Sequence, residues 1–135
     1  MAARHDRIRR VERGAAGRYL KKAAEFFESM RQAMRVQAWN AAGLNGVHCA
    51  ISAVDAVLVF YTEQRSASPD HETAAYLLGS LAKVPDAGRK AETLRRILRE
   101  KNLIEYEGRS FTAQEAADLA KLTERLFRWA QEAAG

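Results

Sequence analysis

The chain has 135 residues, enough for one domain with a real core, and its 47% hydrophobic and 29% charged residues place it among ordinary globular proteins. A single cysteine rules out a disulfide framework, and two prolines in an Ala-, Leu-, Arg- and Glu-rich composition argue against a β-rich design. The net charge of +5 is concentrated at one end: Arg4, Arg7, Arg9, Arg10, Arg13, Arg18, Lys21 and Lys22 face only Asp6 and Glu12 in the first 22 residues, so the rest is close to neutral.

Residues 1–16 therefore read as a basic arm ahead of a single domain at 17–135. A solvated, frayed arm is the simplest expectation, and an arm that contacts phosphates through Arg4, Arg7, Arg9, Arg10 and Arg13 is the alternative. No apolar leader run opens the chain, so a cytoplasmic location is expected.

Tyr19, Ala23, Phe26, Phe27, Met30 and Met34 recur at helical spacing and predict an amphipathic helix from about Gly17 to Val36. Asn40 is a candidate cap for a second helix. Its apolar row, Leu44, Val47, Ile51, Val54, Leu58 and Tyr61, steps by three and four. Gln37, Asn40, Asn45, His48, Ser52 and Asp55 make Val36–Thr62 too polar for a membrane span, so a central core helix is expected. Ser68, Pro69, Asp70 and Glu72 read as N-cap and first turn of a short third helix reaching about Ala82. Asp86 is placed to cap a fourth helix with Leu94, Ile97, Leu98 and Ile104 on its apolar face, and Gly108 to close it. Thr112 and Glu115 form a capping-box pattern behind Phe111, and Leu119, Leu122, Leu126, Trp129 and Ala133 carry a fifth helix. With no strand alternation anywhere, the expected fold is all-α, a four- or five-helix up-and-down bundle.

Two polar features interrupt this pattern. Lys101 falls between Ile97 and Leu98 on the helical wheel, inside the apolar stripe, with Glu105 one turn on and Asn102 and Tyr106 beside it. An ammonium cannot be buried there unpaired; it must snorkel, find a carboxylate, or face another chain. On the second helix Asn45, His48, Ser52 and Asp55 line up as a narrow polar row. Asp55 needs a cation if buried, and Lys101 is the expected partner. Such a row can do no more than fix register and oligomeric state, or it can line a binding cleft.

Other candidates are weaker. Cys49 reads as a small buried hydrophobe. His5, His48 and His71 lack metal-ligand spacing, so no metal and no cofactor is expected. Gly43–Gly46 lacks the Lys-Ser/Thr of a phosphate loop and follows no strand. Trp39 and Trp129 lie on helical stripes and read as core.

The order of features resembles the HEPN superfamily over roughly residues 17–134. A polar, alanine-rich second helix is followed by Asp70-His71 and a short helix. Lys101-Asn102-x-x-Glu105-Tyr106 comes next, then a final helix opening on Thr112-x-x-Glu115-Ala116. The resemblance implies a small, usually dimeric helical bundle, often encoded beside a nucleotidyltransferase. Several branches are metal-independent ribonucleases, toxins of toxin–antitoxin pairs among them. Their motif is an arginine, often followed by a polar residue, with a histidine about four to six residues on. Here those positions fall on Lys101, Asn102 and Tyr106. Lysine lacks the planar fork that grips phosphate, and tyrosine is a poor proton shuttle near neutrality. The expectation is therefore a homodimeric, noncatalytic binding or regulatory module. Its cleft would hold Asn45, His48, Asp55, Lys101, Asn102 and Tyr106, and its partner would be a nucleotide, RNA or a nucleotidyltransferase-type protein. A ribonuclease using Lys101, Asn102 and Tyr106 is the alternative.

Overall fold

A computed structural model describes residues 8–68 and 71–135. Five α-helices carry the domain: α1 (Ala16–Arg35), α2 (Trp39–Thr62), α3 (Glu72–Gly79), α4 (Ala87–Tyr106) and α5 (Ala113–Ala134). Two short strands, β1 (Ile8–Arg10) and β2 (Gln64–Ser66), and a 3₁₀ turn at Arg13–Ala15 complete the order.

The core is organised around α2, which packs against every other helix. Its run Ala50–Val59 is buried without interruption. This helix is long and apolar enough to cross a membrane, yet most of it lies inside the domain, as expected of a core helix. Small residues let the neighbours come close. A Cβ on Gly43 would stand 2.5 Å from Ile104 Cδ1 of α4 and 3.1 Å from the Phe111 ring. One on Gly46 would stand 3.1 Å from Met30 Sδ and 3.3 Å from Thr123 Oγ1. Thr123, fully buried on α5, donates its hydroxyl to Gly46 O at 3.3 Å, so a polar side chain joins the core with its donor satisfied.

Helices α1 and α5 both pack on α2 and on each other, whereas α1 and α4 are barely in contact. The surface of α2 between them is left as the floor of a groove. The capping box is present in full: Glu115 N–H donates to Thr112 Oγ1, Thr112 N–H donates to Glu115 Oε1, and Phe111 is buried beneath them.

Several local expectations are corrected. A strand pair exists where none was expected. Ile8, Arg9 and Arg10 pair antiparallel with Ser66, Arg65 and Gln64, because the backbone leaving α2 at Glu63 turns through a left-handed conformation and runs back beside the basic segment. Asn40 caps nothing. Ala38 holds the N-cap position of α2, and Asn40 Oδ1 accepts the Phe111 N–H at 2.7 Å, fastening the α4–α5 connection to the start of α2. Ser68 is not the cap of α3, which begins at Glu72 after a left-handed His71 and ends at Gly79 rather than Ala82. Pro69 and Asp70, assigned to its first turn, lie outside the described residues, as do Arg4 and Arg7. Asp86 does stand at the N-cap of α4, but in a left-handed conformation with no hydrogen bond from its side chain to the helix. Gly108 does not close α4 in the left-handed region; Glu107 ends it in extended backbone.

Candidate functional site

The groove between α1 and α4 holds His48 on its floor. α2 presents His48 one turn beyond Asn45, where the helix emerges from the core, so the imidazole is exposed while Cys49 and Ala50 beside it are fully buried. From α1, the Phe26 ring lies 5.3 Å from the imidazole, tilted by 31°. From α4, Lys101 reaches over and donates Nζ to Glu105 Oε1 at 2.5 Å, with 20% of its side chain exposed. The lysine on the apolar stripe is thus accommodated by snorkelling along its own helix to the carboxylate one turn on.

The electrostatics of this cluster hold His48 neutral. Partial burial lowers its pKa, Lys101 and Lys22 lower it further, and Glu105 opposes them. A neutral imidazole beside an ammonium offers one hydrogen-bond acceptor and one donor at pH 7, next to a fixed positive charge.

The polar row on α2 splits into two environments. Asn45 turns its amide back onto its own helix, donating to Ala41 O at 2.9 Å. Ser52 and Asp55 are buried. The expected Asp55–Lys101 pair is not made. Asp55 lies two helical turns beyond His48, about 10 Å along the axis, out of the reach of α4 at Lys101. Its Oδ2 faces Arg65 Nε of β2 at 3.7 Å, and Lys22 of α1 adds a weaker attraction. That separation is too long for a hydrogen bond, and Arg65 Nε is buried without one. Arg65 also lies over the Tyr19 ring, 5.6 Å from its centroid. Desolvation outweighs both cations, and the Asp55 carboxyl is pushed up to about 7.

Asn102 and Tyr106 leave the groove. Asn102 is exposed and lines a hollow of about 300 Å³ with Glu72, Arg95, Leu98, Arg99 and Lys101. Arg95 is held there by Glu72 at 3.0 Å and Glu92 at 2.5 Å. Tyr106, the last residue of α4, is 78% exposed. Five residues along a helix turn a side chain by about 140°, so Lys101 and Tyr106 of one chain point apart.

In the basic segment, Arg10 lies 3.7 Å from Glu63, and Arg13 donates Nε to Phe60 O at 2.7 Å, so two of its cations serve the junction with α2. Trp39 and Trp129 are half-buried, and the Trp129 indole donates to Pro85 O at 3.1 Å. Among the described residues no three metal-ligating side chains converge.

The sequence placed Lys101 and His48 in one expected cleft, but with Asp55, not His48, as the residue facing the lysine. Lys22 and Phe26 were legible only as part of a basic end and an apolar stripe. Arg65 carried no signal at all, because its role depends on a strand pairing distant in sequence. Searches of curated proteins and of solved structures return no match to this chain. A family model does match, the HEPN domain, over residues 16–133, from the first residue of α1 almost to the end of α5. The chain is a member of the HEPN domain family.

Proposed function

We propose that this HEPN domain is a noncatalytic binding or regulatory module. It works in the cytoplasm as a homodimer and receives a nucleotide or RNA phosphate, or a nucleotidyltransferase-type partner, at the groove formed by α1, α2 and α4. Lys101 supplies the cation, His48 a neutral hydrogen-bonding edge, and Phe26 an aromatic wall on which a base can stack. The observation that carries this reading is the chemistry at the motif positions. They hold Lys101, engaged by Glu105, and the exposed Tyr106, in place of the arginine and histidine of the ribonuclease motif.

Titration with fluorescent mononucleotides and a short RNA tests it. Binding without cleavage, weakened about tenfold in Lys101→Ala, is the expected result. A second reading has support from the neutral His48 beside Lys101: a general base on α2 could stand in for the histidine that α4 lacks. RNA cleavage lost in both Lys101→Ala and His48→Ala would establish that ribonuclease and overturn the noncatalytic reading.

A further inference from the structure

Between α1 and α5 lies a second furrow, of about 440 Å³. Its floor is apolar and adaptable: Phe27 and Met30 are buried in it, and Met34 and Ala120 are half-buried. Its rim is cationic. Arg31, Arg35 and Lys121 line it against a single carboxylate, Glu124. Glu124 is already engaged by Arg128 at 3.7 Å. Arg31 and Arg128 lie over the Phe27 ring, 5.9 and 5.3 Å from its centroid, so the ring is already covered and the open apolar surface is that of Met34 and Ala120. Among the described residues, Arg35 and Lys121 make no ion pair at all. The furrow therefore has a methionine-bearing floor and uncompensated positive charge along its rim.

We infer that this α1–α5 furrow docks an acidic amphipathic helix of a partner protein. The apolar floor specifies a side-chain face rather than a phosphate chain, because phosphates gain nothing from the thioether and methyl surface of Met34 and Ala120. A third helix laid between two antiparallel ones covers the half-buried Met34 and Ala120 in the ordinary ridge-and-groove manner. Its flanking Asp or Glu residues would then meet Arg35 on the α1 side and Lys121 on the α5 side. Methionines suit such a site because their flexible side chains mould to an incoming apolar row. This surface is distinct from the groove at His48 and Lys101, so both can be occupied at once.

The test uses the intact chain and a fluorescein-labelled amphipathic helical peptide patterned from Leu and Glu, with a Leu/Lys peptide as control. The Leu/Glu peptide should bind, with an affinity that falls as salt rises. Arg35→Glu combined with Lys121→Glu should weaken it at least about tenfold, and Met34→Glu should do the same from the floor. Arg35 and Lys121 are exposed and unpaired, so their reversal leaves the fold intact, which a thermal melt matching wild type verifies. Equal binding of the Leu/Lys peptide, no binding of the Leu/Glu peptide, or unchanged affinity in the variants would overturn the inference. A change in the oligomeric state of the protein alone on charge reversal would assign the furrow to a second copy, and RNA binding lost in the same variants would assign it to nucleic acid. Either outcome refutes the acidic helix.

Discussion

Replacing Asp55 with asparagine tests the strangest electrostatic feature of the core. In the folded chain the carboxyl is pushed up to about 7, by desolvation that Arg65 and Lys22 only partly offset. In the unfolded chain it titrates near its ordinary value of about 3.9. The folded state therefore holds the proton more tightly, and the carboxyl's contribution to stability is complete below about pH 4. It declines as pH rises and is lost by about pH 7. Three pH units at about 1.36 kcal/mol each set an upper figure of roughly 4 kcal/mol. About a third of the Arg65 side chain is exposed and admits water near the pair, so roughly 2–4 kcal/mol is expected. Urea denaturation of wild type and Asp55→Asn at pH 4.5 and pH 8 measures it. Asparagine does not titrate, so the stability difference between the two proteins should shift toward the variant by that amount across the interval. His48, whose depressed pKa acts with the opposite sign, is present in both proteins and cancels. A difference that stays constant with pH, or that shifts toward wild type at pH 8, would refute the claim that burial governs this carboxyl.

Four further outcomes follow from the packing. Thr112→Ala removes the hydroxyl half of the capping box and should cost about 1 kcal/mol, seen as a melting temperature lower by about 3–6 °C. Gly43→Ala should destabilise by about 1–2 kcal/mol, because its Cβ would press on Ile104 and Phe111. Gly88→Ala, where a Cβ meets nothing within 4 Å, should stabilise by up to about 1 kcal/mol in the same denaturation assay. Burial pushes the Cys49 thiol up to about 12, so a thiol-specific dye at pH 8 should label the protein only after denaturant is added; rapid labelling of native protein would place Cys49 at the surface.

What the sequence disclosed and what it hid divide along the distance between partners. The five helices were legible because their apolar periods are local and long, and the Thr112–Glu115 box because both halves lie within four residues. Lys101 and Glu105 were legible as an i,i+4 pair, although only the fold shows that this contact suffices to shelter the ammonium. Asp55 was recognisable as a carboxylate in need of a cation, but its partner was misassigned. Arg65 comes into position only through three residues of strand, too short to leave an alternating pattern. Helix ends were read least well. The turns at Gln37, Glu63, His71 and Asp86 all adopt left-handed backbone without glycine, so the glycine at 108, the usual marker, pointed to a conformation used elsewhere. His48 joined Lys101 because α1 and α4 stand apart on α2, a matter of helix packing that no single-helix pattern encodes.

The small β-ribbon has a mechanical meaning out of proportion to its size. Backbone bonds tie Ile8–Arg10 to the very strand that carries Arg65, so a pull on that segment is passed to the residue that faces Asp55. The front of the polypeptide is in this sense wired into the middle of the bundle.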